Sequence, residues 1–114
     1  MADLPFSRIR RAAGLVFLSG EVPLDADGSV PEGITAQTEL VLDRIAATLG
    51  SEGLTLDDVV SATVYLVDPA DFAAFNAAYV GRFQHPLPVR ATVAAPLMVP
   101  RALIEISVIA SADR

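Results

Sequence analysis

The chain has 114 residues with a formal net charge of −6, and 53% of the residues are hydrophobic. One domain spanning 1–114 is expected at this length, and the absence of cysteine excludes disulfides, thiolate metal sites and cysteine nucleophiles. The acidic charge argues against nucleic acid as a partner, and the apolar runs are too short for a bilayer. We therefore expect neither nucleic acid nor membrane as a partner, and the high apolar fraction favours self-association.

The N-terminal part predicts two short strands followed by a helix. Residues 1–8 have no signal-peptide pattern, so the default location is the cytoplasm. The two strands are expected within 7–19, on either side of residues 12–14. Apolar residues at helical spacing then predict a helix over 34–49, which Gly50 ends. We assign that apolar stripe to the core.

The middle of the chain predicts a strand over 59–67, where β-branched residues are frequent. Side chains alternate between the two faces of a strand. One face is wholly apolar and should lie under helices: Val60, Ala62, Val64 and Leu66. The other face is semi-polar and could meet another subunit or line a cavity: Ser61, Thr63 and Tyr65.

A second helix opening at Pro69 and two further strands complete the predicted elements. The helix carries aromatic residues at helical spacing, which we assign to the core rather than to a ligand-binding cluster: Phe72, Phe75, Tyr79 and Phe83. Strands are expected over 89–95 and 103–110. The order β-β-α-β-α-β-β predicts an α+β domain with one mixed sheet and both helices on one face. The other face would be bare in a monomer, which supports association through the sheet.

Arg90 is the residue most informative about function, because it lies in a segment, 88–95, that otherwise predicts a buried strand. A guanidinium stays charged when it is buried, so Arg90 needs an anion from the protein or from a ligand. Alternation places Thr92 on the same face as Arg90. In the last strand it places Ser107 on the same face as Glu105.

A hairpin between the last two strands would bring these polar faces together. Thr92 would lie opposite Glu105 and Arg90 opposite Ser107. Arg90 and Glu105 would then be diagonal neighbours, about 7–8 Å apart at Cα. One interpretation is an ordinary cross-strand ion pair. The other is a carboxylate clamp, in which the guanidinium binds a ligand and Glu105 positions or deprotonates a water molecule; the residues alone leave both open.

Other candidate sites are weaker. His85 is the only histidine and lies in loop sequence, so a solvated side chain is expected rather than a catalytic one. Carboxylates are scattered and histidine is single, so no metal site is expected. Ser19 and Gly20 end a predicted strand and could place a hydroxyl and a backbone N–H in a pocket. A small basic cluster is expected to be solvated or paired between subunits: Arg8, Arg10 and Arg11.

Several sequence motifs occur in one order along nearly the whole chain: 14–25 (GLVFLSGEVPLD), 37–38 (QT), 58–60 (DVV), 71–79 (DFAAFNAAY), 88–90 (PVR) and 104–110 (IEISVIA). In these motifs the chain resembles the Rid (YjgF-type) reactive-intermediate deaminases. The resemblance implies a chorismate-mutase-like α+β fold and a homotrimer in which the active sites lie in clefts between subunits. It also implies hydrolysis of 2-imino or 2-enamino acids to 2-keto acids and ammonia, without a metal or an organic cofactor.

The same resemblance implies roles for individual residues. Arg90 matches the arginine that binds the substrate carboxylate, and Glu105 matches the glutamate near the attacking water. Ser19 and Gly20 match a pair that lines the pocket, and Asn76 matches the asparagine of the second helix.

Some positions depart from the family pattern. Phe6 stands in place of a pocket tyrosine, which removes one hydroxyl. Thr92 stands in place of cysteine, and Glu21 in place of the more common glutamine. Phe6 and Thr92 are still expected to line the substrate pocket.

We expect a cofactor-independent deaminase that acts on substrates such as 2-iminopropanoate or 2-iminobutanoate. Arg90 would hold the carboxylate, and Glu105 would orient the attacking water. The alternative is a non-catalytic, trimeric protein of the same fold that binds small carboxylates and has a regulatory role. A ribonuclease activity is a third hypothesis, and the net charge of −6 and the lack of a histidine pair argue against it.

Overall fold

A tight hairpin opens the fold. In the computed structural model, which describes residues 4–113, β1 (Ile9–Ala12) and β2 (Leu15–Leu18) are antiparallel. The two residues between them, Ala13 and Gly14, have φ values of 55° and 76°, as a two-residue hairpin turn requires. The remaining elements are α1 (Ile34–Gly50), β3 (Val59–Leu66), α2 (Phe72–Val80), β4 (Val89–Ala94) and β5 (Ile104–Ser111), with 3-10 turns at Leu56–Asp58 and Pro69–Asp71.

The five strands form one mixed sheet in the order β1-β2-β5-β3-β4. Among the described strands, β3 and β4 run parallel and the other neighbouring pairs are antiparallel. Both helices pack on one face, because Ile45 of α1 and Phe75 of α2 share one core with Val64 and Ile106 of the sheet. The predicted order of elements and the α+β fold with both helices on one face are thus confirmed.

The helix α1 forms because its apolar residues recur at helical spacing and meet the sheet along one stripe. The buried residues of α1 are Ile34, Gln37, Thr38, Val41, Leu42, Ile45 and Leu49. The Gln37 Nε2 donates to the carbonyls of Pro31 (2.9 Å) and Arg101 (3.1 Å). The Gln37 Oε1 accepts from the Leu103 amide (2.7 Å). This buried amide therefore anchors the connection that leads into β5.

The expected hairpin between the last two strands is wrong, because β3 lies between β4 and β5. The connection over 95–103 is attached at both ends to the end of β3. The Ala95 amide donates to the Leu66 carbonyl (2.9 Å), and the Val67 amide donates to the Leu103 carbonyl (3.0 Å). The chain therefore crosses over one strand instead of turning back beside β4.

The register of the sheet places Arg90 and Glu105 on opposite faces. Arg90 pairs with Ala62, which is buried beneath the helices, so the Arg90 side chain lies on the helix side. Glu105 pairs with Tyr65. Tyr65 is an odd number of residues away from Ala62 on β3, so Tyr65 and Glu105 both point to the side of the sheet away from the helices. Two predicted oppositions are wrong for this reason: Thr92 with Glu105, and Arg90 with Ser107.

Two predicted core positions are also wrong. The ladder between β3 and β5 shifts register between Val59 and Ser61, so Val59 is buried and Val60 is 44% exposed. A bulge of this kind takes one residue out of the alternation. Phe72 is 45% exposed because it begins α2 beside the edge strand, whereas the other three aromatic residues of its stripe are buried.

The face of the sheet away from the helices is uncovered. We call it the open face; its residues include Phe17, Ser61, Thr63, Tyr65, Val89, Ala91, Val93, Glu105, Ser107 and Ile109. Because β4 is an edge strand, Val89 is 71% exposed, and the expectation of a buried strand there is wrong for a single chain. A largely apolar open face beside an unpaired strand edge favours association with further copies. No helix within residues 4–113 is long and apolar enough to cross a membrane.

Candidate active site

Arg90 belongs to the edge strand β4, and its side chain lies between this strand and α2, on a platform of aromatic rings. Its guanidinium carbon is 5.8 Å from the ring centre of Phe72, 4.9 Å from that of Phe75 and 4.8 Å from that of Tyr79. Such contacts attract a cation to the faces of the rings. The Arg90 Nη2 also donates to the Asn76 Oδ1 at 2.7 Å. The platform and the amide together fix the direction in which the guanidinium points.

Arg90 has no carboxylate partner among residues 4–113. The ion pairs within that range join Arg11 to Glu52, Arg44 to Glu21 and Arg82 to Asp43. An intrachain ion pair between Arg90 and Glu105 is therefore excluded, since the two side chains lie on opposite faces. Asn76 occupies one of the guanidinium nitrogens, which leaves donors for an anion from outside the chain.

Tyr79 lies beneath Arg90 and is 5% exposed. Its hydroxyl is buried and has no hydrogen-bond partner in the described part of the chain. Burial raises the pKa of Tyr79, and the opposing effect of the nearby Arg90 charge is smaller. The phenol therefore stays neutral at physiological pH and gives Arg90 a ring surface without an anionic charge.

An open groove leads away from the guanidinium. Its volume is about 650 Å³, and its walls include Asn76, Val80, Leu87 and Arg90. Thr92 shares the face of Arg90, as predicted, but it lines a separate cleft of about 230 Å³ beside Phe72. We call Arg90, Asn76 and Thr92 the Arg90 half of the site.

Glu105 lies on the open face, in a groove of about 420 Å³ that also includes Gly20, Tyr65 and Ser107. The connection that follows β4 closes one side of this groove through Leu97 and neighbouring residues. A Cβ atom built on Gly20 would overlap the Glu105 Oε2, so the carboxylate depends on the missing side chain at that position.

Ser19, Gly20 and Phe6 line a smaller pocket of about 170 Å³ at the end of β2. Gly20 borders this pocket and the Glu105 groove, so the two cavities meet at its backbone. The Ser19 amide donates to the Arg8 carbonyl (3.0 Å), and Phe6 is 56% exposed at the pocket rim. We call Glu105, Gly20, Ser19 and Phe6 the Glu105 half.

The candidate residues thus form two groups rather than one. Asn76 contacts Arg90 and Thr92 shares its face of β4, whereas Glu105 lies with the residues at the end of β2. The aromatic platform was not predicted, because the helical spacing of those residues is equally typical of core packing. Arg44 was not predicted either; it borders the Ser19 pocket and lies beside the apolar stripe of α1.

Among the weaker candidates, Ser19 and Gly20 belong to the Glu105 half and Arg8 borders their pocket, whereas His85 and Arg11 lie outside both groups. His85 is exposed in a loop, as expected. Arg11 is paired within its own chain, since its Nε is 2.6 Å from the Glu52 Oε1. Nowhere in residues 4–113 do three or more histidine or acidic residues come together as a possible metal site.

Comparison with known proteins identifies the family. A family model described as Endoribonuclease L-PSP matches residues 1–112. The chain belongs to the RidA/YjgF family. A RutC family protein of Pyrococcus horikoshii is 38% identical over 108 residues, which cover 93% of this chain and 86% of the relative. Protein mmf2, mitochondrial, of Schizosaccharomyces pombe is 36% identical over 94% of this chain and 87% of its own length.

Solved structures of the RidA/YjgF family share the fold. RidA from an Antarctic Psychrobacter superposes with a TM-score of 0.89 at 31% identity, over 97% of this chain and 91% of that one. Escherichia coli TdcF with bound serine gives a TM-score of 0.86 at 28% identity, over 96% of this chain and 90% of that one. The names of RidA/YjgF relatives differ in activity and compartment, so membership fixes the fold and leaves the reaction and the cytoplasmic location as predictions.

Proposed function

We propose that the chain hydrolyses 2-imino or 2-enamino acids, such as 2-iminopropanoate and 2-iminobutanoate, to 2-keto acids and ammonia. The proposed site joins the Arg90 half of one copy to the Glu105 half of a second copy within a homotrimer. It uses no metal and no organic cofactor.

The observation that carries this proposal is the state of Arg90. The guanidinium is stacked on aromatic rings and held by Asn76, yet no carboxylate within residues 4–113 neutralises it. A partly buried charge of this kind is costly unless an anion accompanies it. A substrate carboxylate fits the planar donor pattern of arginine. The bound serine of the TdcF relative, an amino acid with a carboxylate, supports a small ligand of this class.

The positions of the two halves support a site shared between copies. Glu105 cannot reach a ligand held by Arg90 of its own chain without passing through the sheet. The open face carries Glu105 together with exposed apolar residues such as Val89 and Val93. Packing of copies through this face would bury those residues and bring Glu105 of one chain towards the edge strand of the next.

The chemistry requires only a positioned water and proton transfers. The water oxygen bonds to the imine carbon while Glu105 takes one water proton and the imine nitrogen gains a proton from solvent, which gives a carbinolamine. Protonated Glu105 then passes its proton to the amino nitrogen, and the carbon–nitrogen bond breaks. Ammonia leaves with the electron pair, and the hydroxyl proton departs to solvent to leave the 2-keto acid. Orientation and acid–base assistance are sufficient sources of rate for such a step.

The test follows the loss of imines generated in the cuvette by an amino-acid oxidase. Arg90→Ala should lower kcat/KM by roughly 100-fold or more, because the bidentate carboxylate contact is lost. Arg82→Ala is the matched control, since Arg82 is paired with Asp43 away from both halves. Undiminished activity in Arg90→Ala would exclude the proposed site.

A second candidate function rests on the same arginine without water activation. The Arg90 half alone contains the carboxylate contact, the amide and the apolar walls that a binding protein needs. If 2-keto acids raise the melting temperature through Arg90 while imine decay is not accelerated, the chain is a carboxylate-binding protein.

A further inference from the structure

Glu21 and Arg44 form an ion pair on the helix side, next to the Glu105 half. The Arg44 Nε is 2.7 Å from the Glu21 Oε1, and the Arg44 Nη1 donates to the Leu24 carbonyl. The Glu21 side chain is 12% exposed and that of Arg44 is 29% exposed. One guanidinium thus ties both a side chain and a carbonyl of the segment after β2 to α1.

This pair differs from ordinary surface ion pairs, which contribute little because solvent screens them. In the Arg82–Asp43 pair the carboxylate is 64% exposed, and in the Arg11–Glu52 pair the arginine is 51% exposed. The Glu21 carboxylate is better shielded than that of Asp43 or Glu52, while Arg44 is about as exposed as Arg82.

The backbone of Glu21 links the ion pair to β5. Its amide donates to the Ile106 carbonyl (2.8 Å), and the Ile106 amide donates to the Glu21 carbonyl (3.1 Å). The residues that precede this bridge on the two segments are Gly20 and Glu105. They lie in close contact, since a Cβ on Gly20 would overlap the carboxylate. The ion pair therefore fixes the segment against which Glu105 rests.

We propose that the Glu21–Arg44 pair is a positioning device for the Glu105 half. It acts through the Glu21–Ile106 bridge and sets where the Gly20 backbone and the Glu105 carboxylate lie relative to a bound imine. The expected effect on catalysis rests on the proposed function, imine hydrolysis. Since carboxylate binding belongs to the Arg90 half, loss of the pair should affect the chemical step and spare binding.

The kinetic experiment separates kcat from KM in the imine-decay assay. Arg44→Met should lower kcat by roughly 10- to 100-fold, as small misplacements of catalytic groups do, and should leave KM within about twofold. Arg44→Lys should restore part of kcat, because the ammonium can meet Glu21 but lacks the fork that also reaches Leu24. Arg82→Met, which breaks the neighbouring ion pair of α1, should leave both constants unchanged.

A double-mutant cycle tests whether the two residues act as a pair. Glu21→Ala should lower kcat as Arg44→Met does, and the double variant should be no worse than the more damaged single variant. Additive losses, or a rise in KM without a fall in kcat, would overturn the inference. Glu21→Gln keeps an oxygen that can accept from Arg44, so it provides a mild variant if the others fail to fold.

Hydrogen exchange supplies a measurement that does not depend on imine hydrolysis. Arg44→Met should speed exchange at the Glu21 and Ile106 amides and spare the Val64 amide in the centre of β3, whereas Arg82→Met should change none of them. Unchanged exchange at the Glu21–Ile106 bridge would refute the positioning role even in an active enzyme. Absence of imine hydrolysis in the unmodified chain would instead refute the proposed function, with the exchange result standing alone.

Discussion

Arg90 and Glu105 pair with β3 from opposite sides, Arg90 through Ala62 and Glu105 through Tyr65, and their side chains lie on opposite faces of one sheet. The two charged groups most suited to imine hydrolysis are thus separated by the sheet within each chain. A site that uses both needs two chains, and this requirement gives the sharpest test of the proposed function.

Mixing two inactive variants should restore activity. Arg90→Ala and Glu105→Gln should each be inactive alone. After joint unfolding and refolding in equal amounts, about a quarter of the interfaces of a cyclic assembly should combine an intact arginine with an intact glutamate. Imine decay should recover to about that fraction of the unmodified rate. Variants mixed without subunit exchange are the control, and no recovery after confirmed exchange would show that the halves do not cooperate across chains.

A carboxylate placed next to Arg90 should compete with the substrate. Asn76→Asp puts an acid where the amide oxygen now accepts from the Arg90 Nη2 at 2.7 Å. The new internal ion pair should raise KM by roughly 10- to 100-fold, because the guanidinium already has its anion. Asn76→Ala is the control: it removes the hydrogen bond without supplying a charge, and its KM should rise less. Equal KM values for the two variants would contradict a carboxylate-binding role for Arg90.

Adding a methyl group at Gly20 should disturb the Glu105 half alone. The new Cβ would overlap the Glu105 Oε2, so the carboxylate has to move away from its groove. Gly20→Ala should therefore lower kcat by roughly 10-fold or more while thermal unfolding changes little. Gly81→Ala is the matched control, since its Cβ would meet no atom within 4 Å. If the two alanine variants have the same kcat, Glu105 does not act from this position.

The buried phenol of Tyr79 should make stability fall at alkaline pH. Burial raises the pKa of Tyr79 above its ordinary value of 10.0. The unfolded chain then ionises first, so the free energy of unfolding is undiminished below that value and decreases as pH rises past it. Tyr79→Phe should flatten this decrease in urea titrations between neutral and alkaline pH. Tyr65→Phe serves as the comparison. If the free energy of unfolding falls equally steeply with alkaline pH in Tyr79→Phe and in the unmodified chain, Tyr79 is not the group responsible.

Local patterns predicted most of the elements but not the order of the strands. The α1 stripe and the β-branched run of β3 gave the correct element types, because each pattern is set by neighbouring residues. The position of β5 between β2 and β3 depends on pairings between distant segments. The alternation of side chains within one strand does not indicate which other strand it pairs with. The predicted hairpin failed for that reason, and the predicted shared face of Arg90 and Glu105 failed with it.

Some contacts between candidate residues agree with the sequence, but the division of these residues into two groups was not predictable. Arg90 contacts Asn76 and shares its strand face with Thr92, and Gly20 lies against Glu105. The aromatic platform was visible as a helical stripe, yet burial and cation binding by the same rings give one sequence pattern. The pattern alone therefore does not distinguish core packing from cation binding. The distinction requires the position of β4, which carries Arg90, relative to the rings.

The strand order also has a consequence for the order of folding events. The last strand of the chain, β5, fills the middle of the sheet between β2 and β3. The N-terminal hairpin therefore has no partner in the sheet until β5 is in place. Since pairing of distant segments is slow and exposes apolar edges meanwhile, the edges of β2 and β3 stay exposed until β5 pairs with both, and a truncation that removes β5 leaves two disconnected pieces of sheet.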